Sequence, residues 1–248
     1  MALKFNADLT NSGFQDTTAA AWNSYPFTVS GWFYPDENTG GQNSYMLSLT
    51  SGAATWWIFG IEHQGGARFF TRVSSQGNAT TVNNYRANAW NHYLAIARSS
   101  TDREVILNGD YANKGTTAFP LTPGTVNRTT IGFLGDTSPG NPWSGRIDHL
   151  CAWNVILSHS DQVRLIKGED PINVTPNRII FCPDMSRWHD PILFRKPPAV
   201  ALNLASLGTD DIQNRQDPLM VRKSLLPRRF PAEAAAPVEG DGSNIIFF

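Results

Sequence analysis

The sequence predicts an all-β fold, a two-sheet antiparallel sandwich with one short helix and an extended C-terminal arm. Three observations predict it. Ile147–Trp153 is apolar on both faces, with Ile147, Cys151 and Trp153 expected to point one way and Leu150 and Ala152 the other. Such a strand sits between two layers rather than at a wet surface. Further strand signals arrive at short spacing with turn residues between them, as a sandwich requires. Finally, seven of the eight tryptophans, Trp22 to Trp153, precede residue 154, whereas prolines crowd the last quarter from Pro183 to Pro237. Large aromatics build cores, while prolines remove ladder donors. The boundary falls near residues 171–182, which divides the chain into a packed domain at 1–182 and an arm at 183–248.

The first long strand is Phe27–Tyr34, with Phe27, Val29 and Gly31 on one face and Thr28, Ser30 and Trp32 on the other; Pro35–Asn38 ends it. Tyr45–Leu49, Trp56–Ile61 and Ala67–Val73 follow. Trp90–Arg98 pairs with Glu104–Leu107 through the polar turn Ser99–Asp102, and Asn108-Gly109 supplies the left-handed backbone of a tight reversal. After the strand that ends at Asn154, a short helix is expected, with Ser158 as its N-cap, Asp161 in its first turn and Gly168 as its stop.

Four of these motifs, in this order, resemble the concanavalin A-like lectin/glucanase jelly roll in its laminin-G-like and pentraxin-like branch. They are Phe27-Thr28-Val29 leading to Trp32, then Trp90-Asn91-His92, then Asn108-Gly109, then Gly145-Arg146-Ile147-Asp148. The similarity covers roughly residues 2–171. It implies two stacked antiparallel sheets with the terminal strands adjacent, so Leu3-Lys4-Phe5 would pair near Ile179-Ile180-Phe181. It also implies that Asp148 bonds neighbouring backbone. It leaves function open, because one fold carries many functions.

Laminarinase-type glycosidases of this fold carry Glu-x-Asp-x-x-Glu on one strand, which sets a nucleophile and an acid about 5 Å apart. No such run occurs; Glu62 and Glu104 are isolated on separate strands and Glu37 sits in a turn. No Ser/His/Asp order, zinc-protease motif or phosphate-binding loop is present either, and no enzyme is expected. The resemblance raises calcium as a structural ion, with Asp136 and Asn141 as candidate ligands. Calcium takes six to eight oxygens, however, and turn chemistry accounts equally for these residues. No other cofactor is expected. For sugars, Trp143 in its Gly/Pro-rich loop and the Trp56-Trp57 pair are the candidate stacking platforms. Aromatics at strand positions also serve as core. The five histidines show no metal-ligand spacing.

Charged residues make up 17 % of the chain and the formal net charge is -1, which argues against wholesale binding to nucleic acid or an anionic membrane. The N-terminal residues lack the apolar run of a signal peptide and no stretch approaches a membrane span, so synthesis in a host cytoplasm is expected. In that setting Cys151 and Cys182 are expected as buried free thiols. The sequons at Asn78, Asn127 and Asn173 carry no weight without export.

The arm mixes Pro197-Pro198, basic pairs and short apolar blocks, and it closes on Ile245-Ile246-Phe247-Phe248, a candidate assembly plug. Such a segment cannot bury enough of its own surface to offset the entropy of ordering it. Laminin-G-like domains occur in tailed-phage particles. The expectation is therefore a structural virion protein (capsid decoration, head-fibre or tail-associated) with an outward lectin-like domain and an anchoring arm. Its expected partners are other virion proteins, copies of itself and cell-surface glycans. A carbohydrate-binding module and a glycosidase of the same fold are the alternatives.

Overall fold

Phe27, Val29 and Phe33 point into the space between two sheets, while Thr28, Ser30 and Trp32 make their contacts on the opposite side. The computed structural model describes residues 3–5, 13–16, 22, 24–36, 43–50, 56–62, 67–70, 77–120, 126–135, 140–183 and 213–215. In chain order the first strands are β1 (Leu3–Phe5), β2 (Gly13–Asp16), β3 (Phe27–Pro35), β4 (Ser44–Thr50), β5 (Trp56–Ile61), β6 (Ala67–Phe70) and β7 (Ala79–Thr80). Then come β8 (Asn91–Ser99), β9 (Asp102–Leu107), β10 (Gly115–Thr117), β11 (Arg128–Ile131) and β12 (Gly145–Trp153). Helix α1 (His159–Ile166) precedes β13 (Ile179–Phe181), and β14 (Gln213–Arg215) is the last strand described.

One sheet runs β1-β12-β3-β8-β9-β10, with β13 added to β12; the other runs β14-β2-β11-β4-β5-β6-β7. Every strand pairing is antiparallel. This is the two-sheet jelly-roll sandwich with one short helix. Its core is aromatic: Phe27 meets Trp57 edge-on at 5.0 Å, and Phe33 meets Trp143 edge-on at 5.7 Å. Such edge-to-face pairs add about 0.5–1.5 kcal/mol each beyond their area burial.

β12 is covered on both sides, but not by simple alternation. A bulge lies between Asp148 and Cys151, where His149 adopts φ 51°. A bulge inserts an unpaired residue and resets which face follows. Ile147 therefore joins Leu150 and Ala152 in the inter-sheet core, while Cys151 and Trp153 pack outside with Leu157, Leu165, Val174 and Ile179. This corrects the expected grouping of Ile147 with Cys151 and Trp153.

That outer cluster seats α1. Ser158 caps its N-terminus by accepting from the Asp161 N–H at 3.2 Å, and Gly168 ends it at φ 83°. Trp153 Nε1 donates to the Val174 carbonyl at 2.7 Å, and Trp32 Nε1 donates to that of Leu165 at 3.3 Å. The β8–β9 hairpin and its Asn108-Gly109 reversal (φ 54° and 76°) form as the sequence indicates.

The terminal strands differ from expectation. β1 pairs with β12 at Leu3↔Ile147, whereas β13 pairs with β12 at Ala152↔Phe181. Both thus lie along β12, at opposite ends, rather than on each other. Beyond residue 183 only Gln213–Arg215 is described, as a strand on β2; Ile245, Ile246, Phe247 and Phe248 lie outside the described residues. Among the described residues no helix is long and apolar enough to cross a membrane.

Candidate functional site

The register of the first sheet sets a row of side chains across its outer face. Arg146 stands opposite Tyr34, and Trp90, just before β8, continues the row past Tyr34. Trp90, Tyr34 and Arg146 are each partly exposed. Their rings and guanidinium touch: Trp90 meets Tyr34 edge-on at 5.7 Å, and the Arg146 guanidinium carbon lies 4.8 Å from the Tyr34 centroid. A cation over an aromatic face is held there by the ring quadrupole. No carboxylate among the described residues forms an ion pair with Arg146.

Two local features hold the row. Gly145 has φ +129°, and a Cβ there would stand 2.0 Å from the Tyr34 carbonyl oxygen, so only glycine lets β12 approach β3 this closely. Asn91 ties down the neighbouring loop. Its Oδ1 accepts from the Arg86 N–H at 2.9 Å, and its Nδ2 donates to the carbonyls of Arg86 and Ala89 at 2.8 and 2.9 Å. Asn88, at φ 51°, donates its N–H to the Pro35 carbonyl at 3.0 Å. The end of the loop thus forms a fixed rim beside Tyr34, with exposed Asn88 tied to the neighbouring Pro35. An aromatic face, a guanidinium and amide side chains suit hydroxyl-rich or anionic ligands, whose C–H faces stack on rings and whose oxygens accept from Arg.

The residues expected to bind sugar are elsewhere. Trp143 is 0 % exposed and Trp57 1 % exposed. Trp57 points inward between Phe27 and Tyr25, at 5.0 and 5.4 Å. The Trp143 loop dives into the core, its N–H donating to the Gly132 carbonyl at 2.7 Å and its ring packing on Phe33. The expectation that these two rings are surface platforms is therefore corrected: the inter-sheet space claims both. Trp56 lies on β5 opposite Thr50, and its side chain is outside the described residues.

Of the two calcium candidates, Asn141 falls within the described residues. Asn141 is a turn residue at φ 52°; its Nδ2 donates to the Asn43 carbonyl at 3.1 Å and its own carbonyl accepts from the Tyr45 N–H at 3.3 Å. Asp136 lies outside the described residues. Among the described residues no group of three or more His, Cys, Asp or Glu side chains could hold a metal ion.

The acids have structural partners. Glu104 is buried and receives Arg98 and, at 2.6 Å, Lys114. Burial raises its pKa, but the two cations outweigh that and hold the carboxyl below its ordinary value. Asp148 Oδ1 accepts from the His149 N–H at 2.9 Å, as the resemblance implied. Asp161 serves the α1 N-terminus and Arg164, and Asp110 braces Asn113 and Asn83. His92 is fully buried against Trp32, with ring centroids 5.1 Å apart, and its Nε2 lies 2.9 Å from Ser30 Oγ. Burial, with the nearby His149, lowers its pKa to about 3, so the ring is neutral and structural at neutral pH.

No curated protein matches the chain. Among solved structures, a Bacteroides ovatus protein described as a candidate carbohydrate binding protein aligns with TM-score 0.53 and 15 % identity. That alignment covers 73 % of this chain and 50 % of the other. A Limulus polyphemus SAP-like pentraxin aligns with TM-score 0.49 and 15 % identity, covering 63 % and 77 %. The sialidase carbohydrate-binding module CBM40 of Ruminococcus gnavus, solved with α2,3 sialyllactose, aligns with TM-score 0.46 and 13 % identity, covering 67 % and 97 %. The chain thus spans half the length of the Bacteroides relative, and likeness at this identity speaks to fold. Residues 9–161, more than half of the chain, match the laminin-G-type family model. The chain belongs to the concanavalin A-like lectin/glucanases superfamily.

Proposed function

We propose that this chain is a non-enzymatic, lectin-like glycan-recognition module that serves as a structural component of a virion. The observation that carries the recognition half is the row Trp90–Tyr34–Arg146, a partly exposed aromatic pair capped by a guanidinium that no described carboxylate pairs. Such a surface stacks on a pyranose face and donates to its oxygens. The family covers lectins and glucanases alike, and carboxylate usage is what favours the lectin side. Glycoside hydrolysis needs two carboxyl groups facing one open site, whereas Glu104, Asp148, Asp161 and Asp110 here brace strands, turns and a helix end. In this reading no cofactor takes part.

The structural half rests on the C-terminal sequence. In this reading the jelly roll occupies residues 1–182 and residues 183–248 form an anchoring arm, with Ile245, Ile246, Phe247 and Phe248 entering a groove on a neighbouring subunit or another virion protein. Gln213–Arg215 pairs with the β2 edge of the same chain, so this part of the arm attaches to its own sandwich by backbone hydrogen bonding, and the anchoring role falls to the residues that follow. Association in the host cytoplasm would precede display on the particle.

The test has two arms. A glycan array probed with the wild-type chain and with Tyr34→Ala and Arg146→Ala should show binding that both variants weaken at least about tenfold; equal binding by all three overturns the recognition reading. Chains ending at Pro183 should stay folded and lose association with particles or with other copies. Unchanged association would overturn the anchoring reading.

A further inference from the structure

Among the described residues β13 pairs only with β12, with Ala152 opposite Phe181. In an antiparallel ladder the residue before one partner faces the residue after the other, so Cys151 stands opposite Cys182. Residues directly opposite have Cα atoms about 4.5–5.5 Å apart, inside the range of about 4.4–6.8 Å that a disulfide spans. The register break lies between Ala152 and Trp153, on the side away from the cysteines. Both cysteines are free and buried, and both belong to the apolar cluster under α1.

We propose that Cys151 and Cys182 are an intrachain disulfide-forming pair, a modification site at which exchange with a small-molecule disulfide locks strand β13 onto β12. Cys182, just after β13 and 7 % exposed, is the entry point; Cys151 is 0 % exposed. The Cys182 thiolate attacks one sulfur of the small disulfide, forming a mixed disulfide and releasing one small thiolate. The Cys151 thiolate then attacks Sγ of Cys182, forming the internal bond and releasing the second small thiolate. The two protons lost by the cysteines are taken up by the two released thiolates, and the two electrons the cysteines give up reduce the small disulfide. Burial, together with the neighbouring Cys182, pushes the Cys151 thiol pKa up, so the second step should quicken as pH rises.

The closed loop would hold α1, the turns at Pro171–Asn173 and Pro176–Arg178, and β13. Cross-linking such a loop restricts the unfolded chain far more than the folded one. The proposal does not depend on glycan binding.

The experiment incubates the full chain with a series of glutathione disulfide to glutathione ratios, with and without a cycle of unfolding and refolding. Intact mass and thermal unfolding are the readouts. The expected product has lost the mass of two hydrogens, exposes no alkylatable thiol in denaturant, and melts at least about 5 °C higher than the reduced chain. Cys151→Ser should stop at the glutathione adduct on Cys182, and Cys182→Ser should resist modification while folded. If the wild-type chain accumulates only the adduct, keeps two free thiols even after refolding in oxidant, or melts lower once bonded, the proposal is overturned.

Discussion

Trp143→Ala tests the packing on which the site assignment depends. The indole is fully buried and packs edge-on against Phe33 at 5.7 Å, across an interplanar angle of 88°. A tryptophan buries about 150–250 Å², which at about 25 cal/mol per Å² gives an upper bound of about 4–6 kcal/mol. Partial collapse of the site brings the expected cost to about 3–5 kcal/mol. The alanine keeps the N–H that donates to Gly132, so the loop backbone stays anchored and the effect reports the ring. Urea unfolding followed by far-ultraviolet circular dichroism, with Trp90→Ala as the matched control, measures it. At an m-value of about 2–3 kcal/mol/M the midpoint should fall by about 1–2 M for Trp143→Ala. The partly exposed Trp90 should cost less than about 1.5 kcal/mol when truncated. A Trp143→Ala midpoint within about 0.2 M of wild type would return Trp143 to the surface and refute the account of this loop.

Three further outcomes follow from named contacts. His92 has a pKa near 3 in the fold against 6.5 ordinarily, so as pH falls below 6.5 the unfolded chain takes a proton that the folded chain refuses. Stability should therefore decline between pH 6.5 and 3, with His92 contributing about 4–5 kcal/mol of that loss by pH 3; chemical denaturation of His92→Gln across this range should show a shallower slope, and equal slopes would contradict the assignment. Gly145→Ala drives a Cβ onto the Tyr34 carbonyl and should cost at least about 3 kcal/mol while weakening glycan binding; a stability equal to wild type would show that β12 and β3 do not meet so closely. Ser158→Ala removes the α1 cap and should cost about 1 kcal/mol, read as a small drop in melting temperature with unchanged binding.

Local chemistry made much of the fold legible. The alternation from Phe27 to Trp32, the Asn108-Gly109 reversal and the Ser158 cap each act within a few residues, and each is realised. Effects that depend on tertiary placement were not legible. A Gly/Pro-rich loop reads as surface, yet nothing in its composition tells whether Trp143 turns in or out. The bulge at His149 puts a histidine at positive φ, a conformation that histidine tolerates better than most residues but that the apolar run around it does not place. The row Trp90–Tyr34–Arg146 comes from β3, β12 and the residue just before β8, distant in sequence, and exists only through their register; the glycine before Arg146 was the one local signal of the close approach. Glu104 was more readable than its isolation suggested, since Arg98 lies across the hairpin that the sequence already implied.

The central claim, that ligand meets the outer-face row, is tested most directly by fluorine NMR of protein labelled with 5-fluorotryptophan. The chain has eight tryptophans, so Trp57, Trp143 and Trp153 serve as buried controls beside Trp90. Titration with the strongest glycan from the array should shift the Trp90 resonance, identified by its loss in Trp90→Phe, and leave the three buried resonances in place. The Arg146→Ala protein should need at least about tenfold more glycan for the same shift. A glycan that binds without moving Trp90, or that moves a buried tryptophan instead, would contradict the account.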